Sequence, residues 1–205
     1  MRTWAIITSR FNSTRLPGKA LMDICGKPMI QRVVDRVREV EEIDDVVVAT
    51  STNSQPIIEY CLSKGIHFYA GSEDDQLERI YETAVKFKAE QIVRIWGDCP
   101  LVSPELIGEC VSRLGENYCR FVYTVGFPKG LQVLAYKFLE LEGAQEEMTK
   151  EERRIFNENE EVEWFKGKYN RCSVSSTISL SFLPCSVNTQ EDMDYVRRIY
   201  ESFNK

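Results

Sequence analysis

Short β-branched runs alternate with amphipathic segments through the first third of the chain: WAIITS from Trp4, PMIQRVVDRVREV from Pro28, VVVAT from Val46, PIIEYCLSKG from Pro56 and IHFYA from Ile66. Strands separated by helix-length segments are joined by crossovers, so the alternation predicts a parallel sheet covered by helices. Pro28 suits the first position of its helix. Met29, Ile30, Val33, Val34, Val37 and Val40 recur at helical spacing and give that helix one apolar face to lay on the sheet. The same logic gives a helix from about Asp75 to Lys88, a strand from Gln91 to Trp96, and a helix opened by Ser103-Pro104, where Ser caps and Pro fits the first turn. Strand character returns at CRFVYTV, a final strand is expected near Ser175 to Leu183, and a helix from Gln190 to Phe203 closes the chain. Between Lys129 and Arg171 the periodicity weakens, and the charged stretch from Glu146 to Lys168 reads as a protruding helical subdomain.

At 205 residues the chain fits one domain whose core needs no disulfide or metal staple. A soluble, cytoplasmic protein is expected, because MRTWAIITSR is too short an apolar run for a secretory signal and no stretch approaches the roughly 20 apolar residues of a membrane span. The seven cysteines form no CxxC pair and no Cys/His cluster, which predicts buried reduced thiols. Net charge is −6 without a dense Lys/Arg stripe, so a nucleic acid polymer is not an expected partner. A local basic cluster can still bind a small anion.

Such a cluster follows the first strand. The segment SRFNSTRLPGK, Ser9 to Lys19, brings Arg10, Ser13, Thr14, Arg15 and Lys19 together with Gly18. Loops that leave the carboxyl ends of strands in open α/β sheets are where ligands bind. Arg forks, a Lys point charge and hydroxyl donors are the groups that stabilise the roughly four negative charges of a nucleoside triphosphate. The bland alternative is a solvated basic turn. A Walker A loop is excluded, since Ser13 stands where its first Gly belongs and Ala20 replaces its metal-binding hydroxyl. A second feature is Gly97-Asp98-Cys99-Pro100, where a carboxylate at the end of a strand is placed to hold Mg²⁺ against a triphosphate, or else to cap a turn.

The run SRFNSTRLPGKALMDICGKPMIQRVVDRV resembles the opening of the CMP-KDO synthetase and acylneuraminate cytidylyltransferase superfamily, and looks closest to its spore coat polysaccharide biosynthesis protein F branch. The resemblance continues through VVVATSTN, GSEDDQLERIYETA and VRIWGDCPLVSPELI and resumes at SVNTQEDMDYVRRIY. It implies an α/β fold, a three-layer αβα sandwich on a mostly parallel mixed sheet of the nucleotide-diphospho-sugar transferase type. It also implies a single nucleotidyltransferase domain over 1–205, with a subdomain or dimerisation arm at about 129–171, acting as a homodimer in polysaccharide or glycoconjugate biosynthesis. The implied reaction joins CMP from CTP to a small sugar-like acid and releases pyrophosphate. On this reading Arg10 and Lys19 hold the triphosphate as the catalytic cations, and Ser13, Arg15, Ser72 and Arg79 complete the nucleotide site. Asp98 and Asn188 hold Mg²⁺.

Some residues read more plainly as structure. Arg79 in GSEDDQLERI has an alternative as an exposed Arg on an acidic helix start, and Thr50, Ser51 and Thr52 are weak candidates for a base pocket. His67 is expected to pack and not to act as a base, Trp96 to lie in the core, and Tyr195, Tyr200 and Phe203 to pack along their helix.

The chain also departs from the pattern it resembles. Asn188, in Val187-Asn188-Thr189-Gln190-Glu191-Asp192, stands where relatives usually have Asp, which weakens metal binding without abolishing it. Relatives tend to carry an acidic D-G-L-D-V-E element where this chain has Lys129-Gly130-Leu131-Gln132-Val133-Leu134, and an R-E-H tripeptide where the nearest match is Arg153-Arg154-Ile155. Three readings stay open on these grounds: a sugar-acid cytidylyltransferase, a nucleotidyltransferase with another nucleotide or a phosphate or phosphonate acceptor, and a degenerate binding subunit.

Overall fold

Strand β1 (Thr3–Thr8) is buried along its whole length and seeds the sheet. After the loop that follows it, a 3-10 turn at Lys19–Leu21 leads into a small hairpin, β2 (Asp23–Ile24) and β3 (Lys27–Pro28). Cys25 and Gly26 turn this hairpin with φ of 49° and 87°. Two successive positive φ values give the turn whose twist matches paired strands. Then come α1 (Met29–Val37), β4 (Asp45–Ser51), α2 (Gln55–Lys64), β5 (His67–Gly71), α3 (Gln76–Phe87), β6 (Gln91–Trp96), α4 (Pro104–Leu114), β7 (Phe121–Val125) and β8 (Leu134–Lys137). The chain continues through α5 (Phe138–Glu147), α6 (Lys150–Asn157), α7 (Glu161–Lys168), β9 (Arg171–Ser175) and α8 (Gln190–Phe203). This computed structural model describes residues 1–116, 118–157, 161–178 and 182–203.

The main sheet has seven strands in the order β5-β4-β1-β6-β8-β7-β9. All its pairings are parallel except those of β8, which runs antiparallel to β6 and β7. Side-chain alternation along β1 divides the core. Ala5 and Ile7 face Ile30, Val33, Ile57 and Ile107 of α1, α2 and α4. Trp4 and Ile6 belong to the opposite cluster with Leu77 and Ile80 of α3, Leu141 of α5, Phe156 of α6 and Phe165 of α7. The result is the three-layer αβα architecture implied by the resemblance. Helix α8 adds a small third cluster, in which Met193 and Val196 pack on Ile24, Met29 and Val187.

Capping chemistry fixes several helix starts where the sequence placed them. The Asp75 carboxylate accepts from Glu78 N–H at 2.9 Å and the Ser103 hydroxyl accepts from Leu106 N–H at 3.2 Å. Other expectations are corrected. The last strand lies at Arg171–Ser175 and not near Ser175 to Leu183, of which 179–181 fall outside the described residues. The stretch read as a protruding subdomain docks instead: α5, α6 and α7 bury Leu141, Ala144, Phe156 and Phe165 in the layer that holds α3. Charged residues on their outer faces masked that apolar stripe. β8 went unread because Leu134, Ala135 and Tyr136 are all buried and show no alternation. All seven cysteines are free thiols. Among the described residues no helix is long and apolar enough to cross a membrane.

Candidate active site

The carboxyl ends of β1, β4 and β6 converge because these strands are adjacent and parallel. Gly97 makes the convergence close: a Cβ there would lie 2.8 Å from Ser9 Cβ and 2.9 Å from the Thr8 carbonyl oxygen. Its N–H donates to that same Thr8 carbonyl at 2.9 Å. Above this junction the loop after β1 closes on itself. Ser13 N–H and Gly18 N–H both donate to the Phe11 carbonyl, at 3.0 and 2.9 Å. Gly18 turns the chain with φ of 72°, a left-handed value that favours glycine. Phe11 anchors the loop from below, its ring packed on the core and its N–H donating to Ser54 Oγ at 3.0 Å.

Lys19 follows the turn and enters the protein, with 9% of its surface exposed. Its Nζ donates to Asp98 Oδ2 at 2.7 Å, to the Val187 carbonyl at 2.6 Å and, more weakly, to Asn188 Oδ1 at 3.4 Å. An ammonium has three donors. All three therefore point at the two elements that carry the expected metal ligands. Those elements are also joined by backbone, Val187 N–H donating to the Asp98 carbonyl at 2.8 Å. Arg15 donates to Asn188 Oδ1 at 2.7 Å. Behind Asn188, Thr189 and Asp192 form a capping box on α8: the Asp192 carboxylate accepts from the N–H groups of Asn188 and Thr189, and Thr189 Oγ1 accepts from Asp192 N–H.

On the other wall, Arg10 donates to the Glu73 carbonyl at 3.1 Å. Arg79 is 2% exposed, so the exposed-Arg alternative does not hold. Its Nη1 donates to the Ser72 carbonyl and, at 3.5 Å, to that of Glu73. Burial and the neighbouring Arg10 and Arg94 push its pKa down to about 10, which still leaves it charged at neutral pH. Cys99 donates to Asp98 Oδ1 at 3.6 Å, and burial raises its thiol well above the usual range, so it remains a neutral donor.

Arg10, Ser13, Arg15, Lys19, Arg79 and Asp98 line one cleft, whose lining carries four cationic side chains and one carboxylate, with Glu73 Oε1 3.6 Å from Arg10 beside it. That imbalance suits a polyanion. Its enclosed part is about 200 Å³, below the ~300–1,000 Å³ of pockets that hold a whole ligand. It therefore accommodates part of a nucleotide, and the cleft continues at Arg15, Trp96 and Asp98 into a second cavity of about 800 Å³. Asn188 lines that second cavity. Ser72 lines neither, because its hydroxyl accepts from Asp75 N–H at 3.0 Å in the turn before α3. Trp96 packs against the core cluster that holds Trp4 and Ile6 and at the same time forms a wall of both cavities. Gln76 also lines the first, a residue without a sequence signal because its position depends on where α3 begins.

Thr50 and Ser51 are fully buried away from the cleft, and Ser51 supports Ser54 through a 2.8 Å hydroxyl contact. His67 starts β5, at the opposite end of the strands from the cleft, and lies 3.1 Å from Asp45. Arg153 bridges Asp75 and Gln145, a structural tie between α6 and the start of α3. Tyr200 packs as expected, its hydroxyl donating to the Pro100 carbonyl at 2.6 Å under Arg32.

Asp98, in the cleft, and Asn188, in the adjoining cavity, are the oxygen donors the sequence put forward for a metal. Among the described residues no three His, Cys, Asp or Glu side chains come together. Asp98 and the Asn188 amide supply one carboxylate and one neutral oxygen, both within reach of Lys19. Mg²⁺ usually takes one or two carboxylates and completes its shell with substrate phosphates and water. The pair fits Mg²⁺ carried in by a triphosphate better than an ion held by protein alone.

A family model described as cytidylyltransferase matches residues 4–168. A 3-deoxy-manno-octulosonate cytidylyltransferase of Geobacter sulfurreducens is 38% identical over 117 residues, covering 57% of this chain and 47% of that protein. The spore coat polysaccharide biosynthesis protein SpsF of Bacillus subtilis is 32% identical over 132 residues, covering 62% and 55%. The chain thus spans about half the length of these curated relatives. The solved structure of a cytidylyltransferase from Leptospira borgpetersenii superposes with a TM-score of 0.89 at 22% identity, over 98% of this chain and 87% of that one, a likeness of fold.

Proposed function

The chain belongs to the cytidylyltransferase family, and we propose that it transfers CMP from CTP to a sugar-like acid with release of pyrophosphate, as a cytoplasmic homodimeric enzyme of surface glycan biosynthesis. The observation that carries this reading is Lys19 Nζ at 2.7 Å from Asp98 and 2.6 Å from the Val187 carbonyl, in a cleft that Arg10, Arg15 and Arg79 also line. Such an arrangement gathers fixed positive charge around Asp98.

In the proposed reaction an acceptor oxygen attacks the α-phosphorus in line, the bond to the β-phosphate bridging oxygen breaks, and pyrophosphate leaves with its charge. Phosphoryl-type transfer depends mostly on positioning and charge stabilisation. Arg10, Arg15 and Arg79 bind and orient the phosphate chain, and Arg10 and Arg79 are held ready by the Glu73 carbonyl. Lys19 fixes Asp98 and Val187 through short contacts. Its 3.4 Å contact to Asn188 is the weak one, and the one a phosphate oxygen would replace. Asp98 and Asn188 would hold Mg²⁺, which when bound offsets phosphate charge and polarises the reacting phosphoryl group.

A pyrophosphate-release assay across CTP, GTP, ATP and UTP, with Mg²⁺ and a panel of ulosonic acids, tests the reading. Release with CTP alone is the expected result. Release with another nucleotide in place of CTP would move the chain to a different base specificity. Absence of CTP binding by calorimetry in the presence of Mg²⁺ would favour a binding subunit without catalysis.

A further inference from the structure

Arg10 and Arg79 reach the cleft from different elements, yet both rest on one turn. The Glu73 carbonyl accepts from Arg10 at 3.1 Å, and the Ser72 and Glu73 carbonyls accept from Arg79. Wherever this turn stands, two of the four cations of the cleft stand with it. Asp75 closes the turn. Its N–H donates to Ser72 Oγ at 3.0 Å, its carbonyl accepts from Arg79 N–H at 3.2 Å, and its Oδ1 caps α3 by accepting from Glu78 N–H at 2.9 Å. Its Oδ2 accepts from outside the turn, from Arg153 Nη1 of α6 at 2.7 Å, 78 positions further along the chain.

Arg153 is itself seated. Its Nη1 also donates to Gln145 Oε1 at 3.1 Å and its Nη2 to the Gln145 carbonyl at 2.6 Å, in the last turn of α5, where helix carbonyls lack intrahelical partners and favour a cation. The planar fork thus spans the end of α5 and the start of α3 with little freedom to turn. The Arg153 and Asp75 side chains are 21% and 25% exposed, so their attraction is screened less than that of a surface pair. Helix α6 has its own anchor in Phe156, buried in the cluster that holds Leu77 and Ile80 of α3. The Phe156 carbonyl accepts from Gln76 Nε2 at 3.3 Å. A packed helix therefore holds the far end of the tie.

We infer that Arg153 is a positioning residue of the nucleotide site: through Asp75 it fixes the Ser72-Glu73 turn, and so fixes where the Arg10 and Arg79 guanidinium groups stand against a bound phosphate chain. Arg153 does not line the cleft, so its hold on the phosphates passes through the turn. This role rests on the transfer reading for what the phosphate chain belongs to, and on the cleft alone for its geometry.

Calorimetry with CTP and with inorganic triphosphate, each with Mg²⁺, tests this on the wild-type, R153Q, D75S, R153Q/D75S and R153K proteins, with thermal melts run alongside. Ser keeps a cap oxygen for α3 but is too short to reach Arg153. R153Q and D75S should each weaken both ligands about 5-fold or more, as misplaced binding groups do. The double variant should be no weaker than the worse single one, and R153K, which keeps a positive charge on Asp75, should recover most of the loss. D75S is the telling case, because removing a carboxylate beside the cleft would tighten anion binding if charge alone mattered. Affinities within about twofold of wild type in R153Q, with only a lower melting temperature, would make Arg153 a scaffold tie and overturn the role. Losses that add in the double variant, or tighter binding in D75S, would overturn it as well. If R153Q does not fold, D75S and R153K decide the matter. Triphosphate has neither base nor acceptor, so a protein that binds no CTP loses the transfer reading while the triphosphate titration still decides on Arg153. A wild-type protein that binds neither ligand removes both.

Discussion

Lys19 Nζ and Asp98 Oδ2 lie 2.7 Å apart although 79 positions separate them in the chain, and both are largely withdrawn from solvent, with side-chain exposures of 11% and 27%. A partly buried pair of this kind is costly to break from one side, because the remaining charge loses its partner. For Lys19→Met we expect pyrophosphate release to fall about 10²-fold or more, by analogy with the loss of a donor to transition-state charge. The Mg²⁺ concentration for half-maximal rate should rise as well, since Asp98 is no longer held. A near wild-type rate under saturating Mg²⁺ would show that Lys19 is dispensable to the chemistry.

Asn188 is set between Arg15 and Lys19, two cations that would accept a full negative charge in its place. Asn188→Asp should therefore be tolerated by the fold and should strengthen Mg²⁺ binding, because a carboxylate offsets more of the cation's charge than an amide. The expected readout is a several-fold lower Mg²⁺ requirement in the turnover assay. An unchanged requirement would place Asn188 outside the metal's reach.

Gly130 lies in the loop from β7 to β8 that lines the second cavity, and it tests whether this loop and the Asn188 segment act as one unit. An alanine would adopt a strained φ and overlap the Cys185 backbone, so Gly130→Ala should cost at least about 2 kcal/mol in chemical denaturation. In the protein that still folds, affinity for the acceptor should suffer while that for CTP holds, because the cleft lined by Arg10 and Lys19 does not include this loop. Equal losses for both substrates would argue against the separation.

Asp192 supplies a pH signature. Burial raises its carboxyl, but hydrogen bonds from Asn188 and Thr189, with Lys19 adding to them, outweigh this and set it below its ordinary 3.8. A depressed carboxylate contributes stability that is fully present above about pH 3.8 and is lost as pH falls through the folded value. Asp192→Asn should be less stable by about 1 kcal/mol at neutral pH, the usual worth of a helix-capping side chain. The gap should close in acid. A gap that stays constant from neutral pH to below pH 3 would mean that the carboxylate's charge is not its source.

Much of this was legible in the sequence where the signal is local. Hydrophobic period, Ser103-Pro104 and Asp75 placed their elements because a cap or an apolar stripe acts within one or two turns. Arg10, Ser13, Arg15 and Lys19 came as a group because they share one loop after one strand. Ser72 was grouped with them by its neighbours; its hydroxyl accepts from Asp75 N–H in the turn that starts α3, and its carbonyl accepts from Arg79 of the cleft.

Local pattern along the chain already specified the parallel α/β architecture and a basic loop at the end of β1. Tertiary structure alone decided how Lys19 meets Asp98 and Val187, that α5 to α7 dock as part of a layer, and that Trp96, Lys129 and Lys166 surround one cavity. Periodicity and capping are properties of neighbouring residues, which any local window of the chain contains. A site assembled from the ends of separate strands depends on sheet order, and sheet order follows from which buried faces match across the whole chain.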